Sequence, residues 1–307
     1  MSDLTFRTEI DFAYGEPRTL APGVRRIVAN NPGVFTYKGT NTYIIGQGDD
    51  LAVIDPGPED KAHFAALMAA VDGRRVSHIL ITHTHPDHVD GLPRFAKATG
   101  AAVCGYGHAA NTSGKTHISP SGGTYADLPF TMDIRLADGD RVAGSDWSLT
   151  AVFTPGHTPD HMCFQLDDTE ILFSGDHVMA WNTSVIAPPE GNMADYLASL
   201  EKLLERKYSV YYPGHGGQVP EPKRFTKAYL VHRRLREQAI LAAIGNGHVT
   251  IADIVRRIYK GIDPRLVPAA ALSVQAHIEH MSQRGLVDAA QPMSSTSPIA
   301  LISKDNA

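Results

Sequence analysis

The sequence predicts an α/β protein in which sheet layers are covered by helices, followed by a smaller module with winged-helix layout. Three observations predict it. Through residues 1–220, apolar runs of strand length alternate with segments of helical period. Beyond Pro220 the order becomes helix, helix, helix, strand, loop, strand. The charge balance reverses at the same place: residues 1–220 hold 16 Lys and Arg against 26 Asp and Glu, whereas residues 221–307 hold 12 against 7. The expected domains are therefore 1–220 and 221–307.

The elements follow from local pattern. Thr42–Gly46 and Leu51–Asp55 read as strands joined by the turn-forming stretch Gly46-Gln47-Gly48-Asp49-Asp50. Phe64, Leu67, Met68 and Val71 recur at helical spacing, which predicts a helix over Glu59–Val71. A strand at Ser77–Ile81 and a short helix at Leu92–Ala98 come next. Further strands are expected at Ala101–Cys104, Leu149–Phe153, Met162–Leu166, Ile171–Phe173 and Val210–Tyr212, with a helix over Met193–Arg206. The grouping of strands in the middle of the chain points to two sheets. In the last part, helices are expected over Lys223–Ala243, Ile251–Tyr259 with Thr250 as N-cap, and Val267–Gln283. Leu286–Asp288 and Ile299–Ile302 read as short strands flanking the loop 291–298.

Composition narrows the function. The chain has 307 residues, 43% hydrophobic and 20% charged, which is ordinary for a globular fold and excludes disorder as its main state. Mean hydropathy is -0.17 and no apolar run reaches membrane-spanning length, so no membrane partner is expected. Met1–Phe12 lacks the apolar core of an export signal, and Cys104 and Cys163 form no CxxC pair. The expected location is cytoplasmic. Histidine is abundant, with 15 copies, a hint of metal or acid–base chemistry.

The histidines are concentrated where strands end. Ser77–Ile81 runs into Thr82-His83-Thr84-His85-Pro86-Asp87-His88. Alternate side chains of an extended segment share a side, so His83 and His85 can reach one metal ion, while the bend at Pro86 turns Asp87 and His88 toward a second. Three later strands end in a glycine turn that presents a ligand-type residue: Pro155-Gly156-His157, Ser174-Gly175-Asp176-His177 and Pro213-Gly214-His215. Glycine allows the close backbone approach that aims a short side chain into a cleft. The expected ligand sets are His83, His85 and His157 for one metal, and Asp87, His88 and His215 for the other. Asp176 would bridge the two. Imidazole with carboxylate suits two zinc ions and accepts iron or manganese.

These motifs resemble the metallo-β-lactamase superfamily of hydrolases, over about residues 25–217. The run HxHxDH followed by an isolated His, Asp and His carries the resemblance, which implies an αββα sandwich of two mixed sheets. It also implies that Asp55, in Val53-Ile54-Asp55-Pro56-Gly57, sits behind the metals and accepts a hydrogen bond from a ligand histidine. The segments 31–43 and 154–161, together with the C-terminal module, further resemble the β-lactamase-like protein 2 group. That group joins the hydrolase domain to a winged helix.

The implied activity is hydrolysis of an ester, thioester, lactone or phosphodiester by a metal-bound hydroxide. Asp87 is a ligand and also a candidate for proton transfer. Phe35 and Tyr37, in a glycine-bounded loop, are candidate substrate contacts, as are His177, Trp181 and Asn182 beyond Asp176. The expected partner is a small molecule, and nothing in the sequence indicates the oligomeric state.

Two alternatives remain open. Members of the resembled group include single-stranded endoribonucleases, and ten Lys and Arg between Glu221 and Arg265 could gather RNA phosphates. A mono-iron persulfide dioxygenase would use a similar HxHxDH run.

Overall fold

The computed structural model describes residues 5–107, 116–118, 124–126, 131–290 and 293–302. Its elements run in chain order from β1 (Arg18–Ala21), β2 (Val24–Val28), β3 (Asn41–Ile45) and β4 (Asp50–Ile54) through α1 (Lys61–Val71), β5 (Arg75–Leu80), α2 (Pro86–Val89) and α3 (Leu92–Thr99) to β6 (Ala102–Gly105). Strands β7 (Thr116–Ile118) and β8 (Thr124–Ala126) pair with each other as an antiparallel hairpin. Next come β9 (Ile134–Arg135), β10 (Arg141–Ala143), β11 (Ser148–Phe153), β12 (Met162–Leu166) and β13 (Ile171–Gly175). Helix α4 (Met193–Leu204), β14 (Val210–Pro213) and β15 (Val219–Pro220) complete the first region.

Two mixed sheets result, ordered β1-β2-β3-β4-β5-β6-β9 and β10-β11-β12-β13-β14-β15. They stack because their strands alternate with period two. Tyr43, Ile45, Ile54, Leu80, Leu149, Ala151, Met162, Phe164, Phe173 and Tyr212 fill the space between them. The intervening residues face outward. Ile44, Val53 and Ile79 pack under α1 and α3 with Leu67, Val71 and Phe95. Val152, Cys163, Leu172 and Tyr211 pack under α4 with Met193, Tyr196 and Leu200. Helix, sheet, sheet, helix is the αββα order.

The C-terminal region holds α5 (Pro222–Gly245), α6 (Ile251–Ile258), a 3-10 turn at Pro264–Leu266, α7 (Val267–Gln283) and the antiparallel pair β16 (Val287–Ala289) and β17 (Ile299–Leu301). Thr250 caps α6 by accepting from the Asp253 amide. A separate core of Ile240, Ile244, Ile254, Val274, Ile278 and Ile299 holds this winged helix together. Helix α5 joins both cores: Phe225, Tyr229 and Leu230 pack with α4, whereas Ile240, Ala243 and Ile244 pack with α6 and α7. The change in charge near residue 220 therefore precedes the change in packing, which falls inside α5. Gln291 and Pro292 of the expected loop lie outside the described residues. Among the described residues, no helix is long and apolar enough to cross a membrane.

Strands β1, β2, β7, β8, β9, β10 and β15 were not anticipated. In β2, Arg25 and Arg26 interrupt the apolar run that marks a strand. Both nonetheless lie along the sheet, their guanidinium groups donating to carbonyls: Arg25 to Ala70 at 2.8 Å and Arg26 to Asp11 at 2.7 Å.

The packing between the sheets makes a quantitative prediction. Phe164 is fully buried at its centre, so Phe164→Ala should cost about 3–5 kcal/mol in denaturant unfolding. A loss below about 1 kcal/mol would contradict this account of the core.

Candidate metal centre

The C-terminal ends of β5, β11, β13 and β14 meet along one edge of the sandwich. Parallel pairing sets Gly175 beside Pro213, so Asp176 and His215 leave the second sheet together. In the first sheet, Ile54 pairs with Leu80, so Asp55 stands beside the chain entering the histidine run. Backbone bonds then tie one sheet to the other at this edge. The Met162 amide donates to Thr82 O at 2.7 Å, and the Asn41 amide donates to Gly214 O at 2.7 Å. Asn41 Nδ2 adds bonds to Pro213 O and Gly216 O.

Seven side chains converge there in two groups able to hold metal ions. In the first, His83 Nε2 lies 2.9 Å from His85 Nδ1, which lies 3.1 Å from His157 Nε2. In the second, His88 Nε2 and His215 Nε2 are 3.4 Å apart, and Asp87 Oδ2 is 3.4 Å from the former and 3.2 Å from the latter. Asp176 stands between the groups: Oδ2 is 3.3 Å from His215, 3.7 Å from His157 and 4.0 Å from His83, while Oδ1 is 3.6 Å from His88. Donor atoms around a tetrahedral zinc are separated by about 3.3 Å, from bonds of about 2 Å, so these spacings suit one ion per group. Asp176 Oδ1 is buried and makes no hydrogen bond, as expected of an oxygen kept for a cation.

The far nitrogens of the histidines are anchored. His88 Nδ1 donates to Asp55 Oδ2 at 2.8 Å. His83 Nδ1 donates to Thr82 Oγ1 at 3.0 Å, which in turn donates to Asp55 Oδ2 at 2.7 Å. The Thr82 amide donates to the other Asp55 oxygen. One carboxylate thus fixes two rings. His157 Nδ1 donates to Val185 O at 2.6 Å, and His215 Nδ1 to Gly39 O at 3.2 Å. These bonds leave the Nε2 atoms of His83, His88, His157 and His215 turned toward the cluster, the orientation that metal ligation requires.

Charge divides the two groups. Burial, with His88 and His85 nearby, holds His83 well below the ordinary imidazole value, and burial beside His157 lowers His85 to about 3. Burial also opposes charge on His88 and His215, but the carboxylates outweigh it. Asp87, Asp176 and Asp55 hold His88 well above its ordinary value, and Asp176 and Asp87 push His215 up to about 10. Asp176 is correspondingly held well below the usual carboxylate range: His215 and His88 overcome its burial.

Two glycines make room for this crowding. A side chain at Gly214 would put its Cβ 2.4 Å from Asp176 Oδ1 and 2.7 Å from His88 Cε1. Gly156, with φ of +132°, lies so close to α4 that a Cβ would stand 2.3 Å from the Tyr196 amide nitrogen.

Expected substrate contacts are placed unevenly. Tyr37 and Trp181 stack with ring centroids 4.9 Å apart, and the position of a Gly216 Cβ lies 2.7 Å from Trp181 Cδ1, so this pair stands beside the turn carrying His215. Phe35 is half-buried in the same loop as Tyr37. Asn182 is half-buried, with its side-chain oxygen accepting from the Thr183 amide. His177 differs from the expectation. It is fully buried, 4.7 Å from the Tyr196 ring and 5.6 Å from the His161 ring, and offers no surface to a substrate.

Two contributors, Thr40 and Glu190, escaped sequence reading, whereas His161 was expected beside the site. Thr40 Oγ1 donates to Asp87 Oδ2 at 2.9 Å, and Glu190 Oε2 lies 3.9 Å from His85 Nε2. His161 Nε2 accepts from the Asp176 amide at 3.2 Å while Nδ1 contacts Thr154 Oγ1 at 2.9 Å. Its place in the segment 154–161 is the sequence signal for that position, and the ring is buried behind the Asp176 backbone.

Comparison with known proteins agrees with this architecture. Residues 36–215 match the metallo-beta-lactamase superfamily model, and residues 250–292 match the beta-lactamase associated winged helix domain. A Beta-lactamase-like protein 2 homolog from Drosophila melanogaster is 31% identical over 273 residues, covering 87% of this chain and 90% of that protein. An Atrochrysone carboxyl ACP thioesterase from Claviceps purpurea is 29% identical over 250 residues, covering 78% of this chain and 73% of that protein. Among solved structures, a beta-lactamase domain protein from Burkholderia ambifaria superposes with a TM-score of 0.78 at 21% identity, covering 94% of each chain.

The ion pairs of the second group set a pH dependence. Because its pKa in the fold is raised from 6.5 to about 10, protonated His215 stabilises the metal-free chain fully below pH 6.5, and that contribution is lost as pH rises through about 10. A cation must displace this proton. Zinc titrated into the chelator-stripped chain near neutral pH in weak buffer should therefore release protons, and affinity should rise with pH. Uptake without proton release would contradict the pairing. Gly214→Ala should weaken metal uptake measured by the same titration, because its Cβ and the Asp176 carboxylate cannot share the space.

Proposed function

The chain belongs to the metallo-β-lactamase superfamily of hydrolytic enzymes, and from that premise we propose that it is a dinuclear, zinc-dependent hydrolase of acyl thioesters. The observation that carries the reading is Asp176, whose two oxygens lie within 3.3–4.0 Å of histidines from both groups. His83, His85 and His157 would hold one ion, and Asp87, His88 and His215 the other. Two such ions would bring the pKa of a shared water toward neutrality and polarise the scissile carbonyl.

The chain's own residues do the rest. Asp55, directly and through Thr82, keeps His83 and His88 in one orientation. Thr40 holds Asp87 by donating to Oδ2, which leaves Oδ1 free of that bond and able to take or return a proton. The stacked Tyr37 and Trp181 form a flat apolar wall suited to an acyl chain or ring. The thioester class is supported by curated relatives named as ACP thioesterases, at 29% and 30% identity over 78% and 80% of this chain.

A second reading, cleavage of single-stranded RNA, rests on Lys223, Arg224, Lys227 and Arg234, all exposed on α5. Arg224 and Arg234 already have Glu221 and Glu201 within 4 Å, which reduces the field available to phosphates.

Metal quantitation followed by a panel of an acyl thioester, a lactone, a cephalosporin, a phosphodiester and single-stranded RNA tests both readings. Two zinc ions per chain and turnover of the thioester are expected. Asp176→Ala and His215→Ala should each remove one ion and most of the turnover while leaving the chain folded. One iron per chain with sulfur-dependent oxygen uptake would overturn the hydrolase assignment.

A further inference from the structure

We propose that Tyr229 and Arg233 on α5 are positioning residues for the metal centre, acting through the segment 176–185. The inference rests on metal binding at the site just described. Beyond β13 this segment runs without strand or helix until α4. It carries Asp176 at one end and, at the other, the Val185 carbonyl that fixes the His157 ring. Whatever holds the segment therefore sets the separation between the bridging carboxylate and a histidine of the first group.

Helix α5 supplies much of the hold. Tyr229 Oη is buried within reach of three backbone groups: it accepts from the Met179 amide at 3.1 Å, and its single proton is shared between Met179 O at 2.6 Å and Asn182 O at 2.5 Å. One turn later, Arg233 Nη2 donates to Ser184 O at 2.5 Å, and its guanidinium lies 5.1 Å from the Tyr196 ring centroid. Ser184 Oγ closes the loop by hydrogen bonding to Asp176 O and to His177 O. The path from Arg233 to the backbone of Asp176 thus passes through one residue.

Arg233 is an unusual choice for glue alone. It is 3% exposed, its Nε is buried without a partner, and among the described residues no carboxylate pairs with it. Burying such a charge is costly, and a buried charge is weak evidence for stability. Its neighbours Arg224 and Arg234 point outward and have acidic partners. The cost is offset where the guanidinium's rigid, planar donors specify a backbone geometry that other side chains would leave loose.

The sign of the effect separates positioning from simple charge. Removing a nearby positive charge should tighten cation binding by Coulomb's law, whereas loss of positioning should weaken it. The test uses the full chain loaded with cobalt(II), with metal affinity measured by chelator competition and ligand geometry by the visible absorption band. Arg233→Met and Tyr229→Phe should each lower affinity by about 10–100-fold, the usual effect of losing a partner that orients ligands. Both should also alter the cobalt band. Arg233→Lys should recover part of the loss, and the exposed Arg234→Gln should leave both readouts at the unaltered level. If Arg233→Met does not fold, Tyr229→Phe and Arg233→Lys decide the matter. A lowered melting temperature with unaltered affinity and spectrum would overturn the proposal, as would tighter binding in Arg233→Met. Absence of metal uptake by the unaltered chain would instead overturn the reading of the site itself.

Discussion

The carboxylate of Asp176 is the contact on which the site depends. It sits at the centre of four imidazoles, and both of its oxygens are engaged at distances a shared cation pair would use. Burial lowers His83, His85 and His157 below the ordinary imidazole value, whereas the carboxylates around His88 and His215 raise those two above it. Such an arrangement is costly to bury unless the charge is compensated, so the surroundings must hold each donor firmly.

That firmness comes from the sandwich. The strands that end at the site are packed on both faces, inward on the other sheet and outward on helices, so their ends have little freedom to move. At the rim the sheets are no longer separated by side chains and bond directly through Met162 to Thr82 and Asn41 to Gly214. Crowding at this junction explains the glycines. Backbone passes so close to Asp176 and Tyr196 that Gly214 and Gly156 admit no side chain. The second region takes part as well. Helix α5 is continuous from the hydrolase core into the winged helix, and its inward face reaches the backbone behind Asp176.

Much of this was legible in the chain. The period-two alternation of Tyr43, Ile44 and Ile45, or of Met162, Cys163 and Phe164, announces strands buried on both sides. Helix α7 and strand β12 have the bounds that local pattern predicts. Strand β2 was hidden because arginine heads reach carbonyls contributed by distant segments, a partnership local pattern does not display. The burial of His177 was hidden for a related reason. Adjacency to Asp176 suggested the cleft, but successive side chains point to opposite sides, and this one turns into the core.

The sequence by itself singled out the seven side chains that the fold gathers into one cluster, because metal-binding side chains are few in kind and their placement after strand-ending turns is a local property. It also determined that a second module follows, through a change in pattern and charge. Only the tertiary structure decided how those residues are held. Asp55 reaches His88 across 33 positions, Thr40 reaches Asp87 across 47, and Arg233 reaches Ser184 across 49. Hydrogen bonds of this span depend on sheet register and helix docking, which arise from burial of the whole core rather than from any segment within it. For the same reason, the boundary marked by charge near residue 220 is not the boundary of packing. The physical division lies within α5, where one helix serves two cores.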